Sequence, residues 1–202
     1  MERITKLLTP NPYSRPQETD KHRFVEVRFI NHHWYQNPKQ SAMGVWKFFE
    51  DRKYGHSGYG GAKIIIDPDI IIQAIPNEEF TYDVTSSYYT PEALRRFSPV
   101  PAWYGISIEW AHEDWSGKPH RNTLYNAKVI TAELMMKYNL NPHEDNYRHW
   151  DITYKCTTRG PCPRWFVERP EEWEKFKEGV KEYMVYLHER TGGTYGQHRT
   201  DY

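Results

Sequence analysis

Residues 62–76 read AKIIIDPDIIIQAIP. Two β-branched runs flank Asp67-Pro68-Asp69, a tripeptide rich in turn formers. Isoleucine suits a pleated, buried surface, and Asp and Pro favour the reversal between two strands. The stretch therefore predicts a β-hairpin with arms at 62–66 and 70–75. Upstream lies a glycine cluster (Gly55, Gly58, Gly60, Gly61), and before it residues 41–53, SAMGVWKFFEDRK. There Ala42, Val45, Trp46 and Phe49 recur at helical spacing behind Ser41, a good N-cap. Residues 24–33, FVEVRFINHH, begin with alternation and become apolar, as a strand does when it enters a core.

Downstream, residues 92–97 predict a short helical piece, and residues 103–110, WYGISIEW, a buried strand carrying Glu109 near its end. Residues 123–138 place Leu124, Ala127, Ile130, Leu134 and Tyr138 on one helical face. Residues 148–153 are expected to be extended, followed by an irregular loop holding both cysteines. Pro170 suits the first turn of a last helix with Trp173, Phe176, Val180, Tyr183 and Leu187 as its stripe, stopped at Gly192-Gly193. This mixture of strands and helices predicts an α/β fold: a single domain with a central mixed β-sheet flanked by helices. The expected division is an extended, proline-bearing lead-in at 1–23, a domain at 24–190, and a polar tail at 191–202.

The 202 residues carry 27 Lys+Arg against 27 Asp+Glu, a formal net charge of zero. That balance argues against a nucleic-acid partner, which is usually met by a basic excess. No apolar run approaches the 18 or so residues needed to span a bilayer, so no membrane segment is expected. The first residues lack the apolar stretch of a secretory signal. Two cysteines exclude a disulfide scaffold. Aromatic residues make up 16% of the chain, with 16 Tyr and 8 Trp. Most are expected in the core, but such flat amphipathic rings also suit the gripping of sugars and peptides.

Metal-binding side chains concentrate at three places: His32-His33 at a strand end, His149, and Cys162 in the loop that also holds Cys156. Two imidazoles and one thiolate would satisfy a catalytic zinc and leave a fourth position open. Glu109 is either a proton shuttle beside such a site or an ion-paired strand-end carboxylate.

In order along the chain, several motifs resemble the type-2 N-acetylmuramoyl-L-alanine amidases, the fold shared with peptidoglycan recognition proteins. They are LLTPNPYSRP (residues 7–16), the strand-end His-Trp before Asn37-Pro38 and Ser41-Ala42, IIIDPDIIIQAIP (64–76), YGISIE (104–109), RHWDITYK (148–155) and CPRWF (162–166). The resemblance implies a zinc amidase that cuts the bond between N-acetylmuramic acid and L-alanine in peptidoglycan, in the manner of a phage endolysin. It implies Zn2+ held by His33 (alternatively His32), His149 and Cys162, with Glu109 as acid/base and Lys155 facing the oxyanion. A monomer is expected, cytoplasmic until released to the cell wall at lysis. The alternative is a peptidoglycan-binding protein of the same fold without activity; a purely structural zinc protein is the more distant one.

Three departures from the resembled pattern stand out. Lys63 and Asp83 occupy places where the family usually carries histidines beside the substrate groove, which makes both candidate substrate contacts. Residues 156–161 are an insertion, which makes Cys156 an alternative metal ligand or a disulfide partner for Cys162; Cys162, followed by Pro163 and Trp165-Phe166, is the favoured ligand. Arg159 within that insertion is a candidate partner for a substrate carboxylate, and Tyr88, with its neighbour Tyr89, a candidate stacking surface.

Overall fold

The protein is described here by a computed structural model covering residues 1–56 and 58–192. Among these residues the strands are β1 (Glu2–Thr5), β2 (Phe29–Trp34), β3 (Ile64–Ile66), β4 (Ile70–Gln73), β5 (Gly105–Trp110), β6 (Asn146–Arg148), β7 (Cys156–Thr157) and β8 (Gly160–Pro161). The helices are α1 (Ala42–Asp51), α2 (Pro91–Phe97), α3 (Arg121–Lys137), α4 (His149–Thr153), α5 (Arg164–Glu168) and α6 (Pro170–Arg190). Six strands form one mixed sheet in the order β1-β4-β3-β5-β2-β6; β7 and β8 make a separate two-stranded piece. All neighbours in the large sheet run parallel except the β3–β4 hairpin.

The hairpin forms because its turn is tied internally. Asp67 is buried, and its carboxylate accepts the backbone N–H groups of Asp69 and Ile70, each at 2.9 Å. The other oxygen accepts the N–H of Ala42 at 2.8 Å, so the same side chain secures the first turn of α1. Ser41 caps that helix as expected, accepting from Gly44 at 3.1 Å.

Strand alternation then divides the molecule into layers. Ile30, Ile64, Ile66, Ile106, Ile108 and Trp110 meet α3 and α6 on one face, through residues such as Ala127, Met135, Phe176 and Val180. Ile65 and Ile72 meet Ala42, Val45 and Phe49 of α1 on the other. Phe29 packs with Ala93 and Phe97 of α2 and with Ile152 of α4.

Three segments depart from the sequence expectation. The strand expected at 24–33 begins only at Phe29, because its partner β5 begins at Gly105, opposite Phe29. Before that point Val25 and Arg28 donate to the carbonyls of Trp103 and Tyr104, outside the ladder. Gly105 is required there, since a Cβ would stand 2.7 Å from the Phe29 ring. Residues 2–5 of the lead-in form an edge strand on β4. Finally, the stretch expected to be extended at 148–153 turns helical from His149. Asp151 explains this: its carboxylate accepts the Arg148 N–H at 2.8 Å and the Arg148 guanidinium at 2.6 Å, capping the turn. The glycine stop expected after α6 falls partly outside the described residues; Thr191 caps the helix and Gly192 follows with φ of 61°.

Asp67→Ala strips three backbone donors of their acceptor in a buried corner. We expect a loss of about 2–3 kcal/mol in unfolding free energy, measured by urea denaturation.

Candidate metal centre

Parallel pairing of β2 and β5 puts His33 directly beside Glu109, and Asn31 beside Ser107. These four share a face because side chains alternate along each strand. His149, the first residue of α4, brings its ring to 4.5 Å from that of His33, centroid to centroid. Cys162 arrives by a different device. Residues 156–161 close on themselves as the β7–β8 hairpin, with Cys156 opposite Pro161 and Thr157 opposite Gly160. The Cys162 N–H donates to the Lys155 carbonyl at 3.0 Å, and the Trp150 N–H to the Cys162 carbonyl at 2.8 Å. The insertion therefore projects as a side loop, and Cys162 returns next to α4. Its sulfur lies 3.9 Å from His33 Nδ1.

One ligand atom from each of His33, His149 and Cys162 lies within 4.8 Å of the others, and all three residues are buried. Zinc bonds of about 2.0–2.3 Å suit a donor set gathered this closely. The donor chemistry fits as well. Burial pushes the His149 pKa down to about 3, with the Lys155 charge adding to it, so its imidazole is neutral with a lone pair to offer. His33 is held well below its ordinary value, first by burial and then by the neighbouring ionisable groups His149, His32 and Lys155. Burial pushes the Cys162 thiol up, and Glu109 reinforces this; a divalent cation is the partner that stabilises a thiolate in such a place.

His32, the alternative ligand, points to the opposite face. Its Nε2 meets Asn146 Oδ1 at 2.6 Å, and its Nδ1 accepts from the Trp110 indole at 3.0 Å. Both ring nitrogens are used in the core. Trp34 and Trp110 are likewise buried on that side. Cys156 is exposed, Cys162 is buried, and both are free thiols, so the disulfide alternative is not formed.

Glu109 stands with Oε1 4.0 Å from His33 Nδ1. Its pKa is pushed up to about 8, chiefly by burial and then by the Asp83 carboxylate, against the opposing pull of Arg52. Asp83 is held by Asn31 Nδ2 at 3.2 Å and by the Val84 N–H at 2.6 Å, so it sits further along the same face. Lys155 is exposed, and its charge acts on both imidazoles and the thiol. Tyr88 is 54% exposed and stacks on Tyr154 at 6.2 Å. Tyr154, which directly precedes Lys155, and Arg52, which bears on Glu109, escaped the sequence reading: neither belongs to a recognisable spacing.

One expected substrate contact, Lys63, is corrected. Lys63 is 1% exposed, with its ammonium donating to the Asn77 and Gly105 carbonyls at 2.7 and 2.8 Å and lying 3.8 Å from the centre of the Phe24 ring. It is an internal tie, not a groove wall: just before β3 its backbone N–H donates to the Ser107 hydroxyl at 3.0 Å. Arg159 donates to the Gln36 carbonyl and lies 5.0 Å from the Trp115 ring centre, so the hairpin tip uses it to dock against the domain. His112 is buried against Trp34 with Nδ1 2.7 Å from the Asp114 carbonyl.

Zinc analysis after dialysis should find about one ion per chain, lost in His149→Ala and Cys162→Ala and kept in Cys156→Ala. Lys63 supplies a pH test. Burial lowers its pKa from 10.5 to about 7, so between these values the unfolded chain binds more protons and stability attributable to Lys63 rises with pH. Denaturation of the wild type and Lys63→Met across that window should show this slope in the wild type and its loss in the variant.

No protein-family model matches the chain. It is 27% identical over 158 residues to N-acetylmuramoyl-L-alanine amidase BlyA of Bacillus subtilis, covering 75% of this chain. The chain spans 40% of that relative's length. The catalytic domain of XlyA superposes with a TM-score of 0.65 at 16% identity, covering 89% of this chain and 99% of that one. The PlyG catalytic domain gives 0.65 at 19% identity, with 92% and 96% covered. Staphylococcus aureus hydrolase AmiA, solved with its ligand, gives 0.64 at 12% identity, with 96% and 86% covered. These likenesses establish the fold, and the sequence match adds kinship. The chain is similar in sequence to N-acetylmuramoyl-L-alanine amidase BlyA and shares the fold of the XlyA and PlyG catalytic domains.

Proposed function

We propose that the protein is a zinc-dependent amidase that hydrolyses the bond between the lactyl group of N-acetylmuramic acid and L-alanine in peptidoglycan. The observation that carries this reading is the meeting of His33, His149 and Cys162 in one buried cluster with Glu109 at its side. Kinship with BlyA supports the substrate class. Three N/S donors match a catalytic zinc, which keeps a position open, better than a structural one, which takes four.

Bound zinc supplies Lewis-acid polarisation of the carbonyl and acidification of water. The chain's own residues supply the rest. Glu109 accepts the proton of the attacking water and returns it to the leaving alanine nitrogen. Its restricted setting, beside His33 and between the opposing charges of Asp83 and Arg52, suits a group that must hold a proton and release it. Lys155 offers an ammonium to the negative charge that develops on the carbonyl oxygen. Tyr88, stacked on Tyr154 just before Lys155, offers a flat surface at the rim for the sugar or the stem peptide. An endolysin-like role in lysis follows from this reading. No helix among the described residues is long and apolar enough to cross a membrane.

Digestion of purified sacculi followed by mass spectrometry should reveal new alanine amines and lactyl carboxyls in equal number. Glu109→Gln should keep its zinc and lose about 10²–10⁴-fold in kcat, and Lys155→Ala about 10²–10³-fold. Capture of fragments without release of these ends would overturn the enzymatic reading.

A further inference from the structure

A concave surface is built from the lead-in and two loops. Tyr13, Tyr59, Tyr82 and His22 form a continuous series of rings. Centroids are 5.5 Å apart from Tyr13 to Tyr59, 5.0 Å from Tyr59 to Tyr82 and 5.3 Å from Tyr82 to His22. The tyrosine pairs are tilted by 35° and 53°, which leaves part of each ring face uncovered. The Tyr82 hydroxyl and His22 Nε2 are 3.1 Å apart, which fixes the end of the series. Tyr59 and Tyr82 line a cleft of about 360 Å³ whose other wall includes Pro10, Pro12, Pro16 and Gln17. That volume falls in the range of small-molecule sites.

Both loops of the cleft are linked to residues around the metal centre. Tyr82 precedes Asp83, which is bonded to Asn31, two residues from His33 on the same strand face. Tyr59 follows Gly58, whose carbonyl accepts from Arg52 at 2.7 Å, and Arg52 acts electrostatically on Glu109. The rings are not needed merely to fasten the lead-in. Backbone contact already does so: the Gly60 N–H donates to the Tyr13 carbonyl at 2.9 Å. Gly61 packs so closely that a Cβ would stand 2.6 Å from the Ser14 carbonyl. Tyr59 nevertheless remains 65% exposed, a large ring held open at a cleft mouth.

The chemistry of the wall selects the ligand. The described lining carries no Asp, Glu, Lys or Arg, only prolines, aromatic rings and the neutral amides and hydroxyl of Asn11, Gln17 and Thr19. A stem peptide, with its carboxylates and amine, would find no ion partner there. A neutral sugar finds what it needs: its C–H face meets the negative face of a tyrosine ring, and its hydroxyl and acetamido groups meet neutral polar rims. We propose that this cleft is a glycan subsite that takes an N-acetylated sugar of the polysaccharide strand, away from the scissile amide, with Tyr59 and Tyr82 as its platform. The proposal rests on the peptidoglycan reading above and adds where the strand runs.

The test titrates the full chain with chitotetraose, a neutral N-acetylglucosamine tetramer, by calorimetry and by NMR. Saturable binding is expected, weakened about fivefold in Tyr59→Ala and retained in Tyr59→Phe, which keeps the ring. Circular dichroism checks that each variant is folded. On sacculi, Tyr59→Ala should raise KM by a larger factor than on a muramoyl peptide with a single sugar. Absence of saturable binding, equal binding by Tyr59→Ala, equal loss in both variants, or shifts centred on Tyr88 and Tyr154 would each overturn the subsite. Tyr59-dependent chitotetraose binding in a protein that cuts no amide would sink the amidase reading and leave the subsite standing. Amide cleavage without chitotetraose binding would do the reverse.

Discussion

The parallel register of β2 on β5 is the constraint from which the rest follows. Setting His33 opposite Glu109 puts a potential ligand and a carboxylate side by side on rigid backbone, while Asn31 and Ser107 continue the polar track behind them. Both strands are bonded on either side, β2 by β6 and β5 by β3, so neither can slide. A shift of one residue would exchange His33 for His32 and turn every apolar contact to the wrong layer. The cores on the two faces thus enforce the geometry of the site, although most of their residues never approach it.

That arrangement leaves unusual polarity beneath the sheet face. Lys63 and Asp83 are buried near one another: burial lowers the lysine to about 7 and raises the carboxyl above its ordinary value, and each charge opposes the shift of the other. Carbonyl acceptors for the ammonium, and N–H and amide donors for the carboxylate, compensate part of the desolvation. Asp83 also bears on Glu109, so the interior pair is joined electrostatically to the side chain assigned the proton transfer.

The hairpin at 156–161 shows how a domain absorbs extra chain without loss of a site. Paired backbone at its base and the Lys155–Cys162 hydrogen bond bring its ends together, as though the residues between them were absent. Its tip is then anchored by Arg159 against Gln36 and Trp115, covering the flank of the domain next to the strand that carries His33.

Local rules written in the chain were enough for the hairpin of isoleucines, the Ser41-capped helix, the apolar strand ending near Glu109 and the Pro170 helix, because propensity, capping and periodicity act over a few neighbouring residues. The motifs also indicated His149, Cys162 and Glu109. Adjacent His32 and His33 were another matter. Neighbouring strand residues face opposite ways, and only the packing of α3 and α6 on one side and α4 on the other decides which ring is enclosed by tryptophan and which meets the sulfur. The same holds for Lys63, whose burial depends on carbonyls 14 and 42 positions away, and for the Tyr59–Tyr82 pair, joined by two loops of no regular pattern. Such contacts are long-range in sequence and short-range in space, so only the folded chain brings them into being.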